Sequence, residues 1–303
     1  MSEIHFSFDK EMRELFEYPD PSIPFVFWIG DFRSFANQSL SYHWHNEFEY
    51  CVVLSGVVVF TVEGKCIELK QGDAIFINAN SMHMATQAGK SNAKVFTVSF
   101  LPTLFVGGER GTIYRKHFQP ILQSAVKSFL IEQTITEGDD ILKSLFEIYD
   151  IHTKQLDDFE MLYISLISRI WSLTLCYIKK HKNTLLSLNT DHENEQKAKD
   201  ILEFIHKYYA EDIRIEDIVR YTNISRSGCF RHFQQYTNKS PMVYLMEYRL
   251  SRAVYLMIRT DKSMTQIATE CGFSNSSYFG KIFKKKYEMT PLQYKQSLSI
   301  FEE

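Results

Sequence analysis

The first third of the chain alternates short apolar runs with polar turns. Between residues 23 and 100 the runs are rich in β-branched and aromatic residues, and Gly56, Gly64 and Gly72 punctuate them. Short runs of this kind at even spacing indicate a β-sandwich or barrel. Six runs are predicted to be strands: 25–30, 49–54, 56–62, 65–70, 73–78 and 94–100.

The pattern changes after the glycine pair at 107–108. Apolar residues then recur at helical spacing, which predicts three helices near 115–133, 139–154 and 158–181. The last helix contains an apolar stretch of 18 residues, 161–178, at the short limit for a membrane span. Because Arg169 lies near its middle and a charge in lipid is costly, we predict a buried or dimer-forming helix and no membrane partner.

A polar segment without periodicity, 182–195, is the predicted linker. Everything beyond it has helical spacing and short loops, and CFRHFQQ at 229–235 resembles FGKIFKK at 279–285, an offset of 50 residues. The predicted fold class is α+β with two domains. A β-barrel (1–110) is followed by helices (111–181), the linker (182–195) and an all-α domain with a duplicated unit (196–298).

The second copy of the duplicated unit has the pattern of a helix-turn-helix. Residues 264–268 form a short apolar helix, and Gly272 supplies a turn residue that adopts left-handed backbone at no steric cost. Ser274 or Asn275 can cap the next helix, 276–286. Small polar residues followed by lysines suit entry into the major groove and phosphate contact. The residues predicted to face DNA are Ser276, Ser277, Lys281, Lys284 and Lys285.

The first copy repeats this pattern with Asn223 at the position of the turn glycine, and it places Arg226, Ser227 and Arg231 outward. Between the copies, Pro241 begins a helix of about 18 residues, or roughly 27 Å. A rod of that length can place two recognition helices in successive faces of the major groove, so double-stranded DNA is the predicted partner.

Charge supports this division of the chain. Residues 1–195 carry a net charge of −8, whereas residues 196–300 carry +7, which indicates a sensor or partner domain joined to a polyanion-binding domain. The five cysteines form no C-x-x-C pair, and the N-terminus lacks the pattern of a secretion signal, so a cytoplasmic location is expected. No nucleophile elbow or phosphate loop occurs, and we predict no catalytic residues.

The order I-A-x-x-x-G-F-x-x-x-S-Y-F-x-x-x-F-K-K…T-P, from Ile267 to Pro291, resembles the signature of the AraC/XylS family of bacterial transcription regulators. The joining helix, with Arg249, matches the family's R-L-x-x-A pattern. The resemblance covers about 195–297 and implies sequence-specific DNA binding, a homodimer and contact with RNA polymerase. It places base-reading positions on Ser227, Phe230 and Arg231 in the first unit and on Ser276, Ser277, Gly280 and Lys281 in the second. Asn238 and Glu288 stand where the family has glycine.

A second constellation lies in the N-terminal half, in the run His43-Trp-His45-Asn-Glu-Phe-Glu49 and at His83. Because side chains alternate along a strand, His43 and His45 point to one face. Three imidazoles and a carboxylate inside one barrel suit a divalent metal such as zinc, iron, manganese or nickel. The spacing resembles the cupin fold, with Asn78 and Asn80 in place of the usual proline and glycine.

Three alternatives remain open for His43, His45, Glu49 and His83: a divalent metal site, a metal-free site for a polar ligand, or a structural remnant of an enzyme site. Trp28, Arg33 and Tyr50 are nearby in sequence and are predicted to help bind an effector.

The two resemblances together imply a ligand-responsive transcription regulator that requires no cofactor, with a sugar as the expected effector. The alternatives are a metal-dependent cupin enzyme, such as a dioxygenase or sugar isomerase, and a regulator controlled by a protein partner.

Overall fold

The computed structural model describes residues 7–8, 13–35, 38–105, 111–132, 136–154, 159–181 and 192–299. These residues form two compact units that divide between residues 181 and 192. Most of the predicted linker, residues 182–191, lies outside the described part, whereas its last four residues belong to the first helix of the second unit.

The first unit is built around two antiparallel sheets. The five-stranded sheet has the order β11-β8-β5-β10-β3, and the four-stranded sheet has the order β4-β9-β6-β7. A short pair, β1 and β2, lies outside them. The strands are β1 (Ser7–Phe8), β2 (Glu14–Leu15), β3 (Phe25–Asp31), β4 (Ser39–His43), β5 (Phe48–Ser55), β6 (Val57–Val62), β7 (Lys65–Lys70), β8 (Ala74–Ile77), β9 (His83–Ala88), β10 (Lys94–Phe100) and β11 (Ser128–Ile131).

Strand β5 shows how the five-stranded sheet divides the core. Cys51 and Val53 join residues of the four-stranded sheet in one apolar cluster, the interior of the barrel. Phe48, Tyr50 and Val52 belong to a second cluster, shared with the helices that cover the other face. Successive side chains of a strand point to opposite faces, so a nearly continuous apolar run serves two cores at once.

The covering helices are α2 (Thr136–Lys154) and α3 (Glu160–Lys180). In α3 the buried residues recur at helical spacing and include Ile167, Ile170 and Trp171, while Arg169 is exposed. This helix is long and apolar enough to cross a membrane by length and composition, and 39% of its most apolar window is buried within the chain. One face packs against the sheet, which agrees with the first of the two predicted alternatives, a buried helix.

The predicted helix at 115–133 is wrong in its second half. A π-helical turn (Tyr114–Phe118) and a short helix α1 (Gln119–Leu122) are followed by β11, which pairs with β8. Phe129 and Ile131 alternate with less buried neighbours, which is a strand pattern that helical spacing obscured. The side chain of Asn78 donates hydrogen bonds to Ile121 O and Val126 O, both at 2.8 Å, and holds the crossover in place.

The second unit is all-helical. Its helices are α4 (His192–Tyr208), α5 (Ile215–Thr222), α6 (Arg226–Thr237), α7 (Pro241–Arg259), α8 (Met264–Glu270), α9 (Ser276–Tyr287) and α10 (Pro291–Ser299). Helices α5–α6 and α8–α9 are the two predicted helix-turn-helix units, and α7 joins them. The α+β fold, with a two-sheet barrel, following helices and a double helix-turn-helix domain, is therefore confirmed.

The departures from glycine that the sequence analysis noted are all accommodated by left-handed backbone. Asn80, Asn223, Asn238 and Glu288 have φ values of 60°, 53°, 57° and 60°. Asparagine tolerates this region better than most residues, whereas Glu288 is an unusual occupant. The turn at Asn80 and the ends of the three helices therefore adopt the left-handed backbone conformation without glycine.

Candidate functional site

The histidine cluster forms where the two sheets approach each other. His43 ends β4 and lies directly opposite His83, the first residue of β9. The ring centroids of His43 and His83 are 4.1 Å apart, and those of His45 and His83 are 5.1 Å apart. Glu49 reaches the cluster from β5 in the other sheet. All four side chains are buried. The structure therefore brings them together, as the sequence predicted.

Each imidazole is oriented by a backbone carbonyl. The Nδ1 atoms of His43, His45 and His83 lie 2.8, 3.1 and 2.9 Å from carbonyl oxygens two residues away, at Ser41, Glu47 and Ser81. A carbonyl only accepts, so each Nδ1 carries the proton and each Nε2 faces the cluster. One nitrogen from each of the three rings lies within 4.8 Å of the others.

Two carboxylates flank these nitrogens. Glu49 Oε2 lies 3.1 Å from His45 Nε2, and Glu49 Oε1 lies 3.9 Å from His83 Nε2. Glu14 Oε2 lies 3.3 Å from His43 Nε2, and Glu14 is only 5% exposed. His83 Nε2 has no hydrogen-bond partner among the described residues. Of the three Nε2 atoms, that of His83 is therefore the buried acceptor that lacks a donor within the described part of the chain.

Glu14 was not among the predicted site residues. It belongs to the N-terminal segment 13–18, whose backbone Glu14 N–H donates to Trp44 O at 2.9 Å. The ring of Phe16 packs edge-on against His45 at 5.2 Å, and the Tyr18 hydroxyl donates to Glu47. Alternate residues of this segment thus face the barrel, and the i, i+2 spacing of Glu14, Phe16 and Tyr18 is the sequence signal that indicates it.

Burial and neighbouring charge set the protonation of the cluster. Desolvation lowers the pKa of His43 to about 3 and takes that of His83 well below its usual range. Burial opposes the charged form of His45 too, but its hydrogen bond with Glu49 and the surrounding carboxylates raise its pKa to about 9. Burial raises the pKa of Glu14 to about 8. Neutral His43 and His83 therefore offer lone pairs at neutral pH.

The other three predicted effector residues lie elsewhere. The Tyr50 hydroxyl bonds Thr174 Oγ1 at 2.6 Å in the core beneath α3, because Tyr50 points to the face opposite Glu49. Arg33 is exposed and paired with Asp31 at 2.7 Å. Trp28 packs against Phe35 at the edge of the barrel core. Proximity along the chain did not bring them to the cluster.

The first recognition helix, α6, is capped by Ser225, whose side chain accepts from Gly228 N at 3.2 Å. Arg226, Ser227 and Arg231 are exposed, and Phe230 is half-buried. Arg226 Nη1 pairs with Glu216 on α5 at 2.5 Å, so one of its donors is already used within the domain. Cys229 and Phe233 are buried and fix which side of the helix faces outward.

The second recognition helix, α9, is capped by Asn275, whose side chain accepts from Tyr278 N at 2.8 Å. Phe279 and Phe283 are buried beneath it. The predicted DNA-facing residues are all exposed: Ser276, Ser277, Lys281, Lys284 and Lys285. A cationic, uncovered helix face is what phosphate contact and groove entry require, and the individual contacts stay predictions.

Comparison with known proteins agrees with both halves of this description. Residues 218–297 match the family described as helix-turn-helix domain, and residues 36–99 match the family described as cupin domain. The HTH-type transcriptional regulator YdeC of Bacillus subtilis (strain 168) is 26% identical over 96% of this chain and 98% of its own length.

Two further proteins are similar to parts or all of the chain. The HTH-type transcriptional activator RhaR of Mannheimia succiniciproducens is 23% identical over 84% of this chain and 86% of its own length. Among solved structures, ToxT from Vibrio cholerae O395 aligns over 90% of this chain and 97% of its own, with a TM-score of 0.45 and 14% identity. The curated relatives are named as transcription regulators, and the chain carries a cupin domain followed by a helix-turn-helix domain of the AraC type.

Proposed function

We propose that this DNA-binding regulator is controlled by a small polar molecule, a sugar in the first instance, that binds at the His43, His45, Glu49 and His83 cluster. The regulator acts in the cytoplasm as a homodimer. Its two recognition helices read the operator, and occupancy of the cluster changes their affinity for it.

The observation that carries this proposal is a buried acceptor in the cluster, His83 Nε2, that lacks a donor among the described residues. Neutral imidazole Nε2 atoms and carboxylate oxygens accept hydrogen bonds, and buried polar groups without partners cost free energy. A hydroxyl group of a bound polar molecule would supply the missing donor. His83 Nε2, buried and without a hydrogen-bond partner among the described residues, is the clearest place for such a donor.

Two other features support the homodimer and the contact with RNA polymerase. The outer face of α3 exposes Met161 and Leu162, at 75% and 48%, which suits contact with a second copy of the chain. Several similar proteins are named transcriptional activators, which supports contact with RNA polymerase.

The test is thermal unfolding of the purified, chelator-treated chain against a panel of sugars. A ligand present at 100 times its dissociation constant stabilises the folded state by about 2.7 kcal/mol, a visible rise in Tm. An active sugar should then change binding to an operator selected by the protein from a random DNA library, measured by fluorescence anisotropy.

Two variants make this test specific. His83→Gln should abolish the response to the sugar, whereas Arg33→Ala, at an exposed residue away from the cluster, should keep it. A sugar response that survives His83→Gln would place the site elsewhere. If no sugar shifts Tm, a protein partner becomes the better explanation for control.

A further inference from the structure

The joining helix α7 carries a carboxylate that contacts both helix-turn-helix units. Glu247 Oε2 lies 2.5 Å from Lys239 Nζ, and Glu247 Oε1 lies 2.9 Å from Lys286 Nζ. Lys239 follows the end of α6, the first recognition helix, whereas Lys286 lies in the last turn of α9, the second. One side chain of α7 is therefore paired with the ends of both recognition helices.

We propose that Glu247 is a positioning residue that fixes the distance and rotation between the two recognition helices, and that it thereby selects operators by the spacing of their two elements. The lysines at the end of α9 then have two roles. Lys284 and Lys285 stay predicted phosphate contacts, while Lys286 is paired with the joining helix. This inference rests on the proposed reading of the operator by both recognition helices.

Both lysines are anchored to the helices that they report on. The Lys239 N–H donates to Thr237 Oγ1 at 3.3 Å, and the Thr237 hydroxyl donates to Phe233 O at 2.7 Å within α6. The last turn of α9 is closed by the Glu288 N–H, which donates to Lys284 O at 2.9 Å. A shift of either recognition helix would therefore pull its lysine away from Glu247.

Glu247 is charged when it makes these contacts. Its side chain is only 26% exposed, and burial opposes ionisation. The hydrogen bonds from Lys239 and Lys286 outweigh burial and lower the pKa of Glu247 below its usual range. Hydrogen bonds between ionised partners are about twice as strong as those between neutral groups, so this carboxylate makes two strong contacts at neutral pH.

A second set of contacts holds the opposite side of α7. Each helical residue turns the chain by about 100°, so Glu247 and Arg249 lie about 200° apart around the helix. Arg249 donates to Tyr209 O and Glu211 O at 2.7 and 2.6 Å. With both sides held, α7 cannot rotate about its axis without breaking one set of contacts. Arg249 fixes α7 to the chain before the first helix-turn-helix unit, and Glu247 fixes it to both recognition helices.

The spacing of the operator elements is the property that such a brace controls. One added base pair moves the second element by about 3.4 Å along the DNA and rotates it by about 34°, since one helical turn is about 34 Å and 10–10.5 base pairs. Two recognition helices in a fixed relation cannot follow that change and keep both sets of base contacts. Loss of the brace should let them follow it in part.

The experiment begins with an operator selected by the full chain from a random duplex library. Hydroxyl-radical footprinting locates the protected elements, and fluorescence anisotropy measures affinity for this duplex and for duplexes with one base pair added or removed between the elements. Wild type should bind the altered duplexes at least about tenfold more weakly, because one good base contact contributes about this factor. In Glu247→Gln this factor should fall by about threefold or more, while affinity for the parent duplex changes by less than about threefold.

Glu270→Gln is the matched control. Glu270 pairs with Lys262 at 2.5 Å, but both residues belong to the second helix-turn-helix unit, so spacing discrimination should stay at the wild-type value. Lys286→Gln should relax the discrimination, and adding it to Glu247→Gln should relax it no further, because both changes remove the same contact. Wild-type Tm values show that the variants fold.

Three results would overturn the proposal, and they differ in what they leave standing. An equal rise in affinity for all three duplexes in Glu247→Gln would mean that Glu247 only neutralises the two lysines. Two protected elements with unchanged discrimination in Glu247→Gln would remove the role of Glu247 and keep the reading by both helices. A single protected element would remove that reading and this inference with it. None of these results depends on a response to sugars.

Discussion

The two helix-turn-helix units have the same backbone plan but different tolerance at the turn. Both turns need a residue with left-handed backbone, which is Asn223 in the first unit (φ 53°) and Gly272 in the second (φ 76°). Asn223 is exposed. A Cβ atom on Gly272 would meet Tyr209 O at 2.7 Å and Ala210 O at 2.8 Å.

The difference arises from what lies behind each turn. The chain after α4 passes against the second turn, and Arg249 of the joining helix donates to Tyr209 O and Glu211 O at 2.7 and 2.6 Å. The second turn is therefore packed against a braced backbone, while the first faces solvent. An internal duplication preserves a motif, but the position of each copy in the domain decides which residues it can change.

The largest expected effect follows from this contrast. Gly272→Ala should reduce the free energy of unfolding of the second unit by about 3 kcal/mol, because strain at positive φ adds to overlap with backbone atoms. Asn223→Ala should cost about 1 kcal/mol, since only the left-handed preference is lost. Urea unfolding of the full chain, followed by the helical circular dichroism signal, measures both.

Gly280→Ala is the matched control for that pair. Gly280 lies in helix α9, and a Cβ there meets nothing within 4 Å. The added methyl group should stabilise the helix by about 0.5–1 kcal/mol. Equal losses for Gly272→Ala and Asn223→Ala would contradict the contrast between the two turns.

The next largest effect is expected on DNA binding by the two recognition helices. Arg231→Ala in the first unit and Lys281→Ala in the second should each weaken operator binding by about 1–3 kcal/mol if the side chains reach bases. Fluorescence anisotropy with operator and with random DNA separates the two kinds of contact. Equal loss on both DNAs would assign the residue to phosphate.

Glu216→Gln removes the carboxylate that pairs with Arg226 of the first recognition helix, and this change is expected to strengthen DNA binding. Both partners of the Arg226–Glu216 pair are more than half exposed, and exposed pairs contribute about 0.2–1 kcal/mol. Freeing Arg226 should therefore tighten DNA binding by up to about fivefold and increase its salt dependence. A decrease in affinity would mean that the pair positions Arg226 for DNA.

A smaller effect concerns pH and the all-helical C-terminal unit. His206 on α4 is buried, lies 2.7 Å from the Tyr244 hydroxyl and stacks on Tyr248. Burial, helped by the charge of Arg252, lowers its pKa to about 3. Between that value and about 6.5 the unfolded chain binds more protons, so stability rises with pH and falls on acidification.

The expected loss from His206 is about 1 kcal/mol between pH 7 and pH 5.5. Urea unfolding at the two pH values measures it. His206→Gln retains a polar group opposite Tyr244 but does not titrate, so its stability should change less over this range. The same pH dependence in both proteins would remove His206 as the cause.

Much of the fold was predictable because it depends on local patterns. The duplicated helix-turn-helix follows from apolar spacing, caps and turn residues within about 25 positions, and of the two predicted cap residues for the second unit the structure uses Asn275. The strand at 128–131 was missed, since Phe129 and Ile131 fit a helical period as well as an alternating one. Pairing with β8 decided between them.

The candidate site likewise contains residues that the sequence predicted and contacts that only the structure shows. The sequence determined that His43, His45, Glu49 and His83 share the barrel, because alternation along strands and the known spacing of the motif fix which side chains point inward. Only the tertiary structure decided that Glu14 joins them, that Tyr50 serves the core under α3, and that Arg226 is held by Glu216. These contacts join elements far apart in the chain or separated by a turn. Their geometry follows from how whole elements pack, which no local pattern of residues specifies.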